Sequence, residues 1–305
     1  MKFHLQLAVS LTAALMACRP SLGGPGRMLV VDDAGDTTRL ATPARRVVSL
    51  NPATTELIFA LGAGPQLVGR TDECDYPDAA GHVPSVGGWL PPNVEAVAAR
   101  APDLVLLYGG PTNAIAAARL RGVGIPVLAL RTDHLADVSR LARLLGPVLG
   151  VAGAADSLGS WYDAALDSLR HGVSPDSGSR VVLVAWDQPL TVLGAGSFVS
   201  ELIELAGARN VFRDFPTPSI PVSLETLVSR APSALVTVGG ISTRFTERPE
   251  WQAVRAVRQH RLLQLTDSAL KWPSPRAPAA IAALRRRLKS ARLTNILAGQ
   301  AAYVR

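Results

Sequence analysis

The 305-residue chain predicts an α/β protein of two similar lobes, each built on a mainly parallel sheet and joined by one long α-helix. Three observations carry that reading. The chain repeats itself, short apolar runs alternate with helical patterns, and one long helical stretch separates the two copies.

Residues 93–110 read NVEAVAARAPDLVLLYGG and residues 223–240 read SLETLVSRAPSALVTVGG. A constant offset of 130 residues relates Glu95 to Glu225, Arg100 to Arg230 and Pro102 to Pro232. Upstream, Thr55-Glu56-Leu57-Ile58 with Gly62 matches Ser200-Glu201-Leu202-Ile203 with Gly207, at an offset of 145. In each copy Asn93 or Ser223 caps a short helix, and Ala-Pro ends it because proline cannot continue a helix. Leu104–Leu107 and Ala234–Val238 follow as nearly continuous apolar runs, the pattern of a strand buried on both faces.

Taken in order, Met1–Ala17 has a charged start at Lys2 and an apolar run too short to span a bilayer, the pattern of a secretory signal peptide. Leu15-Met16-Ala17-Cys18 resembles a bacterial lipobox, which makes Cys18 the expected lipidation site. Residues 18–45 read as a lipid-anchor tether and an N-terminal strand segment, with the Gly- and Pro-rich part flexible. The N-terminal lobe is expected over 46–140. It begins with the strand at Arg46–Leu50 and has further strands near Leu67 and at Val127–Leu130. Residues 141–175 read as the connecting helix, broken near Gly146-Pro147 and resuming at Ala154–Arg170, with Trp161 and Tyr162 as packing residues. The C-terminal lobe takes 176–305, with strands at Val181–Ala185 and Leu262–Leu265.

Composition narrows the function. A hydrophobic fraction of 48% excludes a disordered chain, and no apolar run reaches the length of a membrane span. The net charge of +7 has one dense source, Arg285, Arg286, Arg287, Lys289 and Arg292, which reads as the solvated face of a C-terminal helix. No aromatic-interleaved basic patch or known module suggests nucleic-acid binding. No nucleophile elbow, phosphate loop or zinc-protease motif is present, and the five histidines are scattered, so no catalytic or metal-ligating residue is assigned. Cys74 stands among acidic neighbours, which disfavours its thiolate.

Two lobes make a cleft, and ligands of open α/β sheets sit beyond the carboxyl ends of strands. The residues that follow expected strand ends, or lie near them, are Asn51, the run holding Glu73 and Tyr76, Trp89, Tyr108, Trp186 and Trp272. Large aromatics at such positions suit a bulky, partly apolar ligand. Glu95 and Glu225 lie in the first turn of equivalent helices, where a carboxylate suits the helix dipole. They also give each lobe one acidic knob that could meet a two-fold symmetric partner.

Arg46 through Glu56, Cys74-Asp75-Tyr76-Pro77, Asn93-Val94-Glu95 through Val105, and Ser274-Pro275-Arg276 together resemble the ABC-transporter substrate-binding proteins of class III. These are receptors with two Rossmann-like lobes joined by a single long helix, serving cobalamin, haem and siderophore uptake. The likeness runs from about Asp32 to Leu288 and is nearest to the cobalamin receptors. It implies a non-enzymatic, exported receptor, periplasmic or held to the membrane by a lipid anchor and acting as a monomer. It would carry no cofactor beyond the transported ligand, cobalamin or a related corrinoid. The implied partner is a permease dimer with its ATPase subunits, whose arginines would meet Glu95 and Glu225. The chain departs from the pattern at Thr191 and Ser219, where a cobalamin receptor has aromatics, at Trp272 in place of an arginine, and at Glu73 in place of a tyrosine. Haem or an iron-siderophore on the same scaffold remains the alternative, with Tyr76, Tyr108 and His82 as the candidates for an axial ligand. An exported enzyme or metal-binding protein would need a His, Cys or carboxylate constellation that cannot be assembled from this chain.

Overall fold

A computed structural model of the chain describes residues 26–173, 178–238 and 241–290. The expected signal peptide, Cys18, the first part of the tether, Gly239-Gly240 and Arg292 lie outside the described residues. Among the described residues no helix is long and apolar enough to cross a membrane.

The chain opens with an antiparallel hairpin, β1 (Gly26–Val31) and β2 (Thr37–Thr42). Next come β3 (Val47–Ser49), α1 (Pro52–Ala60), β4 (Leu67–Arg70), α2 (Val94–Ala98), β5 (Leu104–Tyr108), α3 (Pro111–Gly122) and β6 (Val127–Leu130). Their strands form one parallel sheet in the order β4-β3-β5-β6. Helices α4 (Asp137–Leu149) and α5 (Ala152–His171) lead to the second lobe. That lobe contains β7 (Ser179–Asp187), β8 (Leu190–Leu193), α6 (Phe198–Leu205), β9 (Ala208–Asn210), β10 (Ser219–Pro221), α7 (Leu224–Ser229), β11 (Ala234–Thr237), α8 (Arg255–Arg258), β12 (Leu262–Gln264) and α9 (Ala277–Ser290). Here the order is β10-β8-β7-β11-β12, with β9 beside the start of β7. The β7, β9, β11 and β12 pairings are parallel, while β8 and β10 form an antiparallel edge.

Continuous apolar strands pack both faces because successive side chains point to opposite sides of the sheet. On β5, Leu104 and Leu106 join one core while Val105 and Leu107 join another under α2 and α3. On β7, Val181 and Leu183 face the first of these cores and Val182 and Val184 face a third. One cluster therefore runs without a break from β3 and β5 through α4 and α5 to β7, β11 and α9.

The repeat is visible in the backbone. Asn93 accepts from the Ala96 amide and Ser223 from the Thr226 amide, the same cap three residues into each helix. Ala101 and Ala231 both take positive φ, 48° and 45°, immediately before their prolines. Gly62 and Gly207, related by the other offset, take 75° and 92°. Arg46 donates to the Ala101 carbonyl at 2.9 Å and Arg180 to the Arg230 carbonyl at 2.6 Å, so each lobe bolts its first strand to the end of its repeat helix.

Two expectations are corrected. The helical break does not fall at Gly146-Pro147. Helix α4 runs through Pro147, and the chain reverses at Gly150, which adopts φ 74° as a helix C-cap. Helix α5 then packs back along α4. A side chain at Gly146 would stand 2.4 Å from the Ala155 methyl group, and Arg143 pairs with Asp163 at 2.8 Å. Gly146 is thus a close-packing residue rather than a breaker, and α5 is the long helix that precedes the second sheet. At 20 residues it spans about 30 Å. On it Tyr162 is fully buried, whereas Trp161 is 53% exposed. The second correction concerns Arg285, which does not join the solvated face of α9. Its guanidinium donates to the Leu205 carbonyl at 3.1 Å and also to that of Leu169, tying α9 to α5 and α6.

Candidate ligand-binding cleft

The carboxyl ends of the two sheets enclose a cavity of about 300 Å³. Its N-terminal wall is Asn51, Trp89, Tyr108, Thr132 and Asp133; its C-terminal wall is Gly196, Ser197, Phe198, Pro218, Lys271, Trp272 and Pro273.

Asn51 follows β3 and caps α1. Its side-chain oxygen accepts from the Ala53 amide at 2.9 Å and its nitrogen donates to Thr132 Oγ1 at 3.1 Å. Both ends of the amide are engaged, so Asn51 shapes the cleft floor by joining the β3 loop to the β6 loop. Tyr108 ends β5 and donates its hydroxyl to Asp133 Oδ1 at 2.7 Å, while Asp133 Oδ2 accepts from Arg131 Nε at 2.6 Å. Partial burial, and then the Asp133 hydrogen bond and charge, push the Tyr108 hydroxyl up to about 12. Its phenolate should form only near that pH in an absorbance titration at 295 nm, and Asp133→Asn should move the step downward. The sign is that of a raised acid: folding holds Tyr108 neutral, and this contribution to stability is lost as pH climbs from the ordinary tyrosine value toward 12. An unchanged step in Asp133→Asn would remove Asp133 as a cause.

Trp89 from the first lobe and Trp272 from the second meet across the cleft edge to face, with ring centres 6.0 Å apart and planes at 77°. Lys271, beside Trp272, is also part of the cavity wall. The wall therefore offers indole faces and hydroxyls, a set that holds a partly apolar ligand.

Other expected site residues lie elsewhere. Tyr76 is 40% exposed and off the cavity wall; the Arg276 guanidinium covers its ring at 3.6 Å from the centre. Trp186 is 58% exposed at the β7–β8 hairpin and does not line the cavity. Glu73 is half-buried behind Gly88, and its Oε2 meets no hydrogen-bond partner among the described residues. His82 is exposed in a single 3-10 turn away from the cavity. Cys74 is buried and accepts from Thr55 Oγ1 at 3.1 Å; burial, not acidic neighbours, raises its thiol. Glu95 and Glu225 are exposed in the first turns of α2 and α7, and a hydrogen bond from Ser223 holds the Glu225 carboxyl below its ordinary value. Among the described residues no group of three His, Cys, Asp or Glu side chains is placed to hold a metal ion.

Sequence reasoning passed over Thr132, Asp133, Gly196, Ser197, Phe198, Pro218, Lys271 and Pro273. Two signals were at hand. Thr132-Asp133 follows the expected Val127–Leu130 strand, and the 145-residue offset carries Asn51-Pro52 onto Gly196-Ser197.

A profile of the periplasmic binding protein family matches residues 47–269. The vitamin B12-binding protein of Pectobacterium carotovorum is 31% identical over 225 residues, covering 72% of this chain and 80% of its own. A periplasmic haem-binding protein of Pseudomonas aeruginosa has a similar structure, with a TM-score of 0.69 at 27% identity, over 82% of this chain and 94% of that one. The periplasmic vitamin B12-binding protein of Vibrio cholerae superposes with a TM-score of 0.67 at 24% identity, over 82% and 99%, a likeness of fold.

Proposed function

The chain belongs to the periplasmic binding protein family, and from that premise we propose that it is the receptor of an ABC importer, capturing cobalamin or a related corrinoid between its lobes. It delivers the ligand to a permease dimer driven by ATPase subunits, acts as an exported monomer anchored through Cys18, and performs no chemistry on its cargo. The observation that carries the corrinoid reading is the Trp89–Trp272 pair in a cleft whose wall, among the described residues, offers no uncommitted axial ligand. Among the described residues no His, Cys or Met lines the cavity, and the Tyr108 phenol is committed to Asp133. Ferric haem wants such a ligand; a corrinoid brings its own. The cavity of about 300 Å³ admits an edge of a corrin rather than the whole molecule, so the indoles part as it enters.

The second reading, haem, is favoured by the likeness to the Pseudomonas aeruginosa haem-binding protein. Titration of the domain that follows Cys18 separates the two. Cyanocobalamin is expected to bind one to one with about micromolar affinity or better, quenching tryptophan fluorescence. Haemin is expected to leave its Soret band unshifted. A shifted Soret band with no calorimetric response to cyanocobalamin would transfer the assignment to haem.

A further inference from the structure

We propose that Glu56 and Glu201, equivalent positions of the internal repeat, are positioning residues that each tie one lobe to the opposite lobe's cleft-lining loop, and so hold the two walls of the site in register. Glu56 lies on α1 and is only 5% exposed. It accepts a two-pronged pair from Arg276 of the second lobe, Nε to Oε2 at 2.8 Å and Nη2 to Oε1 at 2.6 Å. Arg276 also donates to Ser268 Oγ at 3.1 Å and stacks on Tyr76 of the first lobe. It stands four residues after Trp272, so the tie fixes the segment that presents Trp272 to Trp89.

Glu201 lies on α6 and makes the reciprocal connection. Its Oε2 accepts from the Leu135 amide of the first lobe at 3.0 Å, and its Oε1 pairs with His134 Nδ1. His134 and Leu135 directly follow Thr132 and Asp133 of the cavity wall. The two helices are capped at Asn51 and Ser197, both on that wall, and each glutamate sits about one turn further in. The ties are unequal. The Glu56 pair is buried and bidentate, so losing Arg276 or the carboxylate leaves a charge stranded in a poor solvent. The Glu201–His134 pair is half exposed and screened by water.

Near-UV circular dichroism of the ligand-free protein tests the ties without any ligand. The Trp89–Trp272 contact should give a coupled signal, assigned by its loss in Trp272→Phe. Glu56→Gln should remove that signal. The charge swap Glu56→Arg with Arg276→Glu should restore most of it, which a merely destabilised fold would not do. The ligand arm rests on the receptor reading. There Glu56→Gln should weaken cyanocobalamin at least about tenfold, mostly through faster dissociation, and Glu201→Gln by about threefold. A Glu56→Gln protein with the wild-type tryptophan signal and affinity within about twofold of wild type would overturn the proposal. If Glu56→Gln fails to fold, the swap decides: a folded swap that keeps the signal supports the ties, and one that lacks it overturns them. If wild type itself ignores cyanocobalamin, the corrinoid reading falls while the spectrum still judges the ties.

Discussion

Reversing Glu95 and Glu225 together to lysine should abolish uptake in cells that depend on this receptor, while the purified variant binds ligand as wild type does. Both side chains are exposed, sit in the first turns of helices related by the 130-residue repeat, and have no ion-pair partner among the described residues. Each reversal loses a favourable helix-dipole interaction at a solvent-screened surface, too little to unfold a lobe. The effect on docking is larger. In the proposed receptor the two carboxylates meet basic residues on the two halves of a symmetric permease, so one engaged lobe positions the other. A single reversal should slow uptake by about tenfold, and the pair by about a hundredfold or more, since like charges then face each other at both ends. Transport of labelled ligand into cells, with calorimetry on the same variants, separates docking from binding. Normal transport by the double variant would remove both residues from the docking surface.

That pair was legible in the chain because the repeat is a local pattern: cap, glutamate, short helix, alanine, proline, apolar strand. Each link forces the next, down to the shared positive φ of Ala101 and Ala231. Legibility ends where residues far apart in sequence meet. Nothing near Arg276 announces that it will cover Tyr76 and clasp Glu56, 220 residues away. Hydrophobic alternation tells which strand is buried, not which loop it will oppose. Trp186 lies off the cavity wall for a related reason. It ends an apolar strand, but β7 turns straight into antiparallel β8, so that end is a hairpin tip instead of a strand-to-helix loop over the cleft. Gly146-Pro147 misled because glycine breaks a helix in one context and lets two helices touch in another.

Removing both indoles at the cleft should cost the protein its ligand. Trp89 and Trp272 are half-buried, come from opposite lobes, and meet edge to face. A flat macrocycle entering between them exchanges one edge contact for two broad faces. That exchange adds apolar contact area to the complex. Truncating an anchor of this kind at the centre of a site costs about 2 kcal/mol or more, so Trp89→Ala and Trp272→Ala should each lower cyanocobalamin affinity roughly thirtyfold. The double variant should lose more than the product of the two, because each single change is partly offset by sparing the ligand the work of breaking the indole–indole contact, and that offset can be gained only once. Trp186→Ala, at the exposed hairpin, should shift affinity by less than about twofold and serves as the control for non-specific quenching. Equal losses from all three changes would show that the ligand does not lie between the indoles, and would move the site toward the hairpin face.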